Sequence, residues 1–463
     1  MNAVQKLINK LHQHLGNISL LTGDNIGEKY AVDFTGENYQ PPLAVIRPKT
    51  TEEVSLALKT CSALSQRVVI QGGLTGLAGG ATPKPNEVAI SLEQLSGIEE
   101  IDTTSMTLTA LAGTPLQTIQ EAAENAGLMF PLDYGARGSC QIGGAIATNA
   151  GGNQVIRFGM TRNLVLGLEA VLADGTIVSS MNKMLKNNSG YDLKQLFIGT
   201  EGTLGIVTRA VLRLYHSLPS RCTSLCTVQT FSQSVELLRE TQKKLGTSLS
   251  AYEVMWAPYF ERVINHVENL QSPFAENYPL YVLIETEGSD QESDSTKFEE
   301  MLEAALENKT IQDAVVAQSE KDRQDFWDIR DGVGEITQAL MPYASLDISM
   351  DIANMPKFLE DFDRSLSKTF PQALNLVFGH LGDNNLHLFV TTQREQDINE
   401  IYSIGYKLTG KYEGAITAEH GVGELKRSYL HHSRTPEEID LMRRLKKTLD
   451  PEGILNMGRV IPD

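Results

Sequence analysis

The chain is poor in cysteine, in basic residues and in long apolar runs, and each shortage narrows its class. Its 463 residues include 4 cysteines, and none stands in the C-x-x-C spacing of a zinc knuckle or an iron–sulfur ligand set. So few cysteines are typical of a reducing compartment, which predicts a cytoplasmic protein. No apolar run approaches the roughly 20 residues that cross a bilayer. The amino-terminal residues up to 20 predict a short amphipathic helix rather than a signal peptide.

Basic residues are outnumbered by acidic ones, 40 against 58, which gives a formal charge of −18. A basic patch could not easily dominate that field, so we expect no nucleic-acid partner. Two common nucleotide motifs are also missing. No G-x-G-x-x-G follows a strand with an acidic residue about 20 positions later, and no GxxxxGK[ST] occurs.

Glycine, by contrast, is abundant, with 38 residues. Three segments concentrate it: 72–80, 138–152 and 199–205. Glycine-rich loops let backbone N–H groups approach phosphate oxygens that side chains would block. The segment 138–152 has so little side-chain volume that it must lie against a flat cofactor or against other backbone. The alternative of close packing between elements stays open from composition alone.

The length exceeds what one hydrophobic core usually supports, so we expect two domains. Strand–helix–strand order with glycine loops at the strand ends predicts an α/β nucleotide-binding domain over about 38–217. Beyond it, strand-like segments and a charged helix around 294–306 predict an antiparallel α+β domain. A last helix begins at the Thr-Pro-Glu-Glu of 435–438 and ends at Asp450.

Two histidines flank a predicted tight turn at 382–385, with apolar strand-like runs on both sides. If the middle two residues form the turn, His380 lies directly opposite His387, with Cβ atoms roughly 4.5–5.5 Å apart. Two imidazoles at that spacing can share one metal ion with a carboxylate, for which Glu419 is the candidate. Three protein ligands and an open position are typical of a catalytic metal site. Ordinary pocket or surface histidines are the alternative.

The segments 71–80, 131–152 and 190–205 resemble the FAD-binding domain of the vanillyl-alcohol-oxidase/PCMH superfamily. Together with the histidine hairpin and 418–426, they make the chain similar to the D-2-hydroxyacid dehydrogenases of that superfamily. The resemblance implies an α+β fold: a two-subdomain PCMH-type FAD-binding domain and a cap domain with an antiparallel sheet. The implied divisions are an N-terminal helical lead (1–37), the FAD-binding domain (38–217), the substrate and metal domain (218–430) and a helical return (431–463).

The resemblance also implies which residues contact FAD. They are Gly72, Gly73, Leu74, Thr75, Gly76, Leu77, Ser139, Cys140, Gly143, Gly144, Thr148, Asn149, Gly151, Gly152, Glu201, Gly205, Ile206 and Asn456. In covalent members, a histidine of the first glycine loop or a cysteine of the second bonds the flavin. The first loop has no histidine here, so we expect non-covalent FAD, with a bond to Cys140 as the alternative.

By the same resemblance, His380, His387 and Glu419 hold a divalent metal, for which zinc is expected and manganese or iron are alternatives. His420 is the implied general base, and its neutral form at pH 7 suits that role. Arg330 is the implied partner of the substrate carboxylate. The plainer alternatives are a structural hydrogen bond for His420 and an exposed helical ion pair for Arg330.

The chain departs from the 2-hydroxyglutarate-type enzymes of this family at several positions. Gly334 and Ser345 stand where those enzymes have a threonine and a lysine for a second carboxylate, and Phe389 replaces an asparagine. Asn384 replaces a glycine in the hairpin, and the Met-Gly-Arg of 457–459 replaces a Pro-Gly-Lys-like end. Burying a second carboxylate without those partners is unfavourable. We therefore expect a monocarboxylic substrate such as D-lactate or D-2-hydroxybutyrate.

Three other functions compete with this expectation. They are D-2-hydroxyglutarate oxidation, a non-catalytic flavin-binding subunit of an oxidoreductase complex, and a metallohydrolase without flavin. The dehydrogenase would pass its electrons to an electron-transfer flavoprotein, a quinone or a cytochrome rather than to NAD. A homodimer is a further expectation.

Overall fold

The computed structural model describes residues 3–16 and 18–462, so residues 1, 2, 17 and 463 of the predicted lead and return lie outside it. The helices are α1 (Ala3–Leu15), α2 (Thr51–Ala63), α3 (Leu116–Asn125), α4 (Ile142–Thr148), α5 (Val155–Phe158), α6 (Thr161–Leu164), α7 (Phe231–Leu245), α8 (Ala257–His266), α9 (Gln291–Glu307), α10 (Glu320–Asp331), α11 (Val333–Leu340), α12 (Met355–Thr369), α13 (Ile398–Lys411) and α14 (Pro436–Leu449). Across the described ranges, each helix is too short or too polar to cross a bilayer.

The strands follow the same chain order. They are β1 (Ser19–Leu21), β2 (Val45–Arg47), β3 (Val68–Gln71), β4 (Val88–Ser91), β5 (Ile98–Asp102), β6 (Thr107–Leu111), β7 (Leu128–Met129), β8 (Val165–Val171), β9 (Ile177–Ser180), β10 (Ile206–Arg213), β11 (Tyr215–His216), β12 (Ser220–Val228), β13 (Leu249–Trp256), β14 (Leu280–Gly288), β15 (Asp313–Val316), β16 (Ala344–Ser349), β17 (Leu374–His380) and β18 (Asn385–Thr391).

The chain divides into two compact units. The first contains the chain up to Gly152, Phe158–Ser217 and the residues from Glu419 onward, and the second contains Asn153–Arg157 and Leu218–Ala418. The sequence predicts that the chain returns to the FAD-binding domain at residue 431. In the structure it returns to the first unit earlier, at Glu419. The reason is local pairing within the first unit, where the backbone N–H groups of residues 424 and 425 both donate to the carbonyl of Ala78.

The first unit contains two larger sheets with separate cores, and β7 and β11 form a further two-stranded sheet. In the sheet of order β1-β2-β4-β3, β2 and β3 each run parallel to β4, and α1 and α2 cover the core. The sheet of order β5-β6-β10-β8-β9 is antiparallel throughout and packs against α3 and α4. Within the part of the chain that the structure describes, parallel strand pairs are limited to this one small sheet, and the predicted α+β class with two subdomains is confirmed.

The second unit is built on the antiparallel sheet of order β15-β12-β14-β13-β17-β18-β16. One face, which carries Met255 and Phe378, packs against α8, α10 and α11. On the opposite face, Tyr252 donates to a carbonyl of α7, and Leu346 lies against Gly405 of α13. Helices thus cover both faces, so a polar side chain pointing from a central strand is removed from water.

The carboxyl-terminal segment is fixed within the first unit by a buried ion pair. α14 begins at the predicted position, where Thr435 and Glu438 form a capping box, and the chain then runs to Arg459. Both terminal nitrogens of Arg459 lie 2.7 Å from the Glu87 carboxylate, and both side chains are buried. This explains the arginine of the unusual Met-Gly-Arg end, since its planar group pairs with a carboxylate at two points.

We expect Arg459→Met to lower the free energy of unfolding by about 3–5 kcal/mol, because it leaves the Glu87 carboxylate buried without its charge partner. Chemical denaturation of the two proteins would measure the difference. Arg434→Met is the matched control: its pair with Glu438 is exposed, and such pairs are worth about 0–1 kcal/mol. Equal effects of the two substitutions would contradict the assignment.

Candidate active site

β17 and β18 form the predicted hairpin, but its turn is wider than the two residues assumed from sequence. A 3₁₀ turn over Leu381–Asp383 is followed by Asn384, whose φ is 71°. Asparagine tolerates this left-handed conformation better than most side chains, which accounts for it where the family has glycine. The predicted register is therefore wrong. His387 pairs with Phe378, and His380, at the end of β17, lies beyond the residues that pair with β18.

The two histidines still meet because they are diagonal neighbours on one face of the sheet. Side chains two residues apart on a strand share a face, so His380 shares the face of Phe378 and of its partner His387. The imidazole centroids are 5.3 Å apart, and their planes cross at 78°. Both residues are buried. Diagonal pairs remain within reach of long side chains, so the two rings can still converge on one metal ion.

Glu253 is a buried carboxylate that the sequence analysis missed. It lies on β13 opposite His380, and its Oε1 is 2.8 Å from His380 Nδ1. Its Oε2 accepts a hydrogen bond from Arg330 Nε at 2.8 Å. Burial alone would raise the pKa of Glu253, but its contacts with His380 and Arg330 outweigh burial and lower it to about 2. A lone glutamate inside a strand forms no motif, so only the pairing of the strands reveals it.

Arg330 reaches this cluster from α10. Its terminal nitrogens lie 3.0 Å from His380 Nε2 and 3.2 Å from Asp331 Oδ1, and its guanidinium carbon is 5.1 Å from the Phe378 ring centroid. Burial alone would lower the pKa of Arg330, but the charge of Glu253 outweighs burial and raises it, so the guanidinium stays charged. The alternative of an exposed helical ion pair is wrong, because the side chain is buried.

Asp347 is a second buried carboxylate that the sequence did not single out, and it lies opposite His387 on β16. Its Oδ1 is 3.7 Å from His387 Nδ1 and accepts a hydrogen bond from Asn385 at 2.9 Å. Its Oδ2 accepts from the Thr417 hydroxyl and from the backbone N–H of Ala418, each at 3.1 Å. One carboxylate therefore connects β18 to the chain segment that precedes the predicted ligand and base.

Glu419, the predicted third ligand, follows Ala418 directly and begins the return of the chain to the first unit. Within the first unit, a Cβ added at Gly151 would overlap Glu419 Oε1. Glu419 therefore lies against the second glycine loop, and Gly151 is required there for space.

His420, the predicted base, is followed by a turn that Glu201 holds within the first unit. Gly421 and Gly423 both have positive φ, and the Glu201 carboxylate accepts from the N–H groups of Val422 and Gly423 at 2.7 and 2.9 Å. Burial raises the pKa of Glu201, and the two backbone donors oppose that rise only in part. The side chain of this predicted FAD contact is thus engaged by the carboxyl-terminal segment.

The first two glycine loops lie against each other in the first unit. A Cβ added at Gly73 would overlap the carbonyl oxygen of Ser139, and one at Gly72 would lie 3.8 Å from the Cα of Gly144. A Cβ at Gly143 would be 2.6 Å from that of Ala112. The backbones of the loops therefore meet without side chains between them, which makes a cradle suited to a flat cofactor.

The third loop is tied to the first through Asn456. Its amide nitrogen donates to the carbonyl of Glu201 at 2.6 Å, and its oxygen accepts from the N–H of Ile70 at 2.9 Å. Positive φ angles recur at four predicted cofactor residues that are not glycine: Leu74, Asn149, Glu201 and Asn456. Such strained backbone is concentrated at ligand-binding loops.

The remaining predicted cofactor residues also lie in the first unit. Residues 72–77 follow β3, residues 139 and 140 precede α4, residues 148–152 follow or end it, and residues 205 and 206 lead into β10. Cys140 is 3% exposed. Burial raises the pKa of its thiol, although the Tyr134 hydroxyl opposes this. A protonated, buried thiol is a poor nucleophile.

Aromatic side chains line the histidine face where the family has polar groups. Phe389 lies opposite Ser345 and two residues beyond His387, so it shares that histidine's face. Its ring centroid is 5.4 Å from that of Tyr343 and 5.8 Å from that of Phe378. Gly334 lies on α11 and contributes no side chain. The departures at Phe389 and Ser345 thus fall on the histidine face, and the one at Gly334 lies on a helix packed against the same face.

Two sequence families match the chain. Residues 42–180 match the FAD binding domain, and residues 218–460 match the C-terminal domain of FAD linked oxidases. The D-2-hydroxyglutarate dehydrogenase of Xanthomonas citri pv. viticola is 37% identical over 440 residues, covering 94% of this chain and 92% of the relative. The chain belongs to the FAD linked oxidases.

Other FAD linked oxidases extend the similarity to two eukaryotes. The mitochondrial D-2-hydroxyglutarate dehydrogenase of Arabidopsis thaliana is 38% identical over 420 residues, covering 90% of this chain and 75% of the relative. A mitochondrial protein of Schizosaccharomyces pombe assigned as a D-lactate dehydrogenase is 34% identical over 439 residues, covering 92% and 83%.

Solved structures show the same fold at low identity. p-Cresol methylhydroxylase with substrate bound has a TM-score of 0.79 at 15% identity, covering 99% of this chain and 97% of that one. Alkyldihydroxyacetonephosphate synthase has a TM-score of 0.75 at 16% identity, covering 97% and 85%. The predicted PCMH-type architecture is therefore confirmed.

We expect Gly73→Ala to reduce the FAD content of the purified oxidase severalfold, because the new Cβ would push the Ser139 carbonyl out of the cradle. The ratio of flavin to protein absorbance measures this directly. Gly135→Ala is the matched control, since a Cβ there would meet no atom within 4 Å. An unchanged flavin ratio in the Gly73 variant would show that the contact between the loops does not shape the cofactor site.

Proposed function

We propose that this FAD linked oxidase is a metal-dependent D-2-hydroxyacid dehydrogenase that converts a D-2-hydroxy acid to the 2-oxo acid. The observation that carries the proposal is the buried group of His380, His387 and Arg330 on one sheet face, backed by two carboxylates. Relatives named D-2-hydroxyglutarate dehydrogenase, and one assigned as a D-lactate dehydrogenase, support the reaction class.

FAD would be held by the glycine loops and Asn456 of the first unit, without a covalent bond, since the Cys140 thiol is buried and protonated. When bound, FAD supplies a hydride acceptor and a divalent metal supplies a Lewis acid for the substrate hydroxyl. His380 and His387 would provide two metal ligands. Glu419, one peptide bond beyond the Asp347-bound segment, would provide the third, and this imidazole–carboxylate set suits zinc first.

The chain itself would bind the carboxylate and take the proton. Arg330 would orient the substrate carboxylate, because its planar donors match a carboxylate and its charge is retained in the buried site. His420 would accept the hydroxyl proton as the general base. The turn held by Glu201 would limit the positions that His420 can sample.

The substrate we propose is a monocarboxylic acid such as D-lactate or D-2-hydroxybutyrate. Arg330 is already paired with Glu253 and adjoins Asp331, so the cluster has little positive charge left for a second carboxylate. Phe389 and Tyr343 give the histidine face an apolar edge beside Ser345, which has no charge. D-2-hydroxyglutarate is the competing substrate, and the names of two relatives favour it.

We also propose the partners and the compartment of this oxidase. The electron acceptor would be an electron-transfer flavoprotein, a quinone or a cytochrome, and the chain would form a homodimer. A cytoplasmic location is proposed from the cysteine content, whereas two of the relatives are named as mitochondrial.

We expect the oxidase to turn over D-lactate or D-2-hydroxybutyrate with a higher kcat/KM than D-2-hydroxyglutarate, because Ser345 and Phe389 leave a second carboxylate without partners. Steady-state assays with a dye acceptor would measure the three values. Ser345→Lys should shift the ratio toward D-2-hydroxyglutarate by about tenfold, the effect of one charged contact of about 1.4 kcal/mol. Turnover of D-2-hydroxyglutarate alone would overturn the monocarboxylate proposal.

His387→Ala should remove bound metal and reduce activity by at least a hundredfold while FAD stays bound, because His387 lies in the second unit and the predicted flavin residues lie in the first. Metal analysis and flavin absorbance on one preparation give both readouts. His266→Ala is the control, since this exposed histidine of α8 bonds only to its own helix among the contacts described. Loss of FAD with retention of metal would contradict the assignment of the ligands.

A further inference from the structure

Glu253 contacts both His380 and Arg330. The register of β13 and β17 places it opposite His380, and Oε1 and Oε2 take one partner each, both at 2.8 Å. The side chain is 1% exposed, so water does not compete for these contacts. A buried carboxylate that contacts one partner through each oxygen holds both side chains, His380 and Arg330, in a fixed orientation.

The contact with His380 also determines which ring nitrogen carries the proton. An ionised carboxylate only accepts hydrogen bonds, so the 2.8 Å contact requires the proton on Nδ1. The other nitrogen faces Arg330 without selecting a tautomer, because one terminal nitrogen of Arg330 lies 3.0 Å from Nε2 and 3.4 Å from Nδ1. The Glu253 contact therefore selects the tautomer, with the proton on Nδ1 and the lone pair on Nε2.

That tautomer is the one a metal ligand needs. A neutral imidazole binds a metal through its unprotonated nitrogen, and the partner of the other nitrogen sets the tautomer and the ring orientation. We propose that Glu253 is a positioning residue that holds His380 with Nε2 free of its proton, and that it thereby sets the affinity of the site for a divalent metal. This inference rests on the metal-dependent function proposed above.

The competing explanation is that Glu253 only balances the buried charge of Arg330. Removing one member of a buried pair destabilises a protein whatever else that member does. Stability alone therefore cannot distinguish the two roles. Metal affinity can distinguish them. If Glu253 only balances the charge of Arg330, the metal affinity should not depend on the His380 tautomer once Arg330 is also removed.

The first experiment compares the flavin-loaded oxidase with its Glu253→Gln variant. Arg330 Nε donates to the position of Oε2 and would hold the glutamine oxygen there, so the amide N–H donates to Nδ1. This favours the tautomer with the proton on Nε2, which then has no lone pair for a metal. We expect zinc affinity, measured by competition with a chromophoric chelator, to fall by about 10- to 100-fold. Titration with Co²⁺ should show a matching loss of the ligand-field bands, and the FAD content should not change.

Glu285→Gln is the matched control. Glu285 is also buried on a strand of this sheet, and it bonds to Trp327 at 2.9 Å and to Arg323 at 3.3 Å, both on α10. It therefore has the same residue type, burial and kind of arginine partner, without a histidine among its described contacts. We expect Glu285→Gln to lower stability and to leave zinc affinity within twofold of the unsubstituted protein.

The double variant Glu253→Met/Arg330→Met removes the ion pair as a unit and leaves no acceptor for Nδ1, so it keeps the test open if the single variant folds poorly. Stability should recover while zinc affinity stays low. Recovery of zinc affinity, or an unchanged affinity in Glu253→Gln, would overturn the inference. If the unsubstituted oxidase binds no divalent metal at all, the metal-dependent function proposed above is wrong, rather than the role of Glu253. Metal binding by the unsubstituted protein is therefore measured before any variant is made.

Discussion

Pairing of β18 on both of its edges is the constraint on which the candidate site depends. β18 is hydrogen-bonded to β17 on one side and to β16 on the other, so His387 has Phe378 and Asp347 as its fixed neighbours. A slip of one residue would turn His387 to the opposite face, where α7 and α13 pack. Because helices cover both faces, that slip would bury polar groups without partners, so the register is strongly specified.

At the candidate site of the second unit, buried charges are paired with an opposite charge or with hydrogen-bond donors, and this limits which ligands the site can bind. Glu253 and Arg330 balance each other, and Asp347 is held by an amide, a hydroxyl and a backbone N–H. Desolvating one more anion there is favourable only if a cation or a metal meets it. A single substrate carboxylate with a metal satisfies that condition more readily than a dicarboxylate.

In the first unit, backbone groups rather than side chains form most of the proposed cofactor site. Gly73 and Gly143 allow direct contact with neighbouring backbone or small side chains, and Asn456 replaces a strand partner for the end of β3. The carboxyl-terminal segment is part of this arrangement, since Arg459 binds Glu87 and Glu201 binds the turn after His420. Residues far apart in sequence therefore support one set of loops.

The amino-acid pattern alone determined which local elements form and which chemistry they carry. The alternation around His380 and His387, the start of α14 at Thr435 and the three glycine loops are local signals, and each appears where it was predicted. Local signals could not determine the register of the hairpin, because it depends on Asn384 adopting a left-handed conformation. They also could not reveal Glu253 or Asp347, since a single acidic residue in a strand has no distinguishing pattern. Only strand pairing brought those carboxylates to the histidines, because hydrogen bonding between distant strands decides which side chains share a buried face.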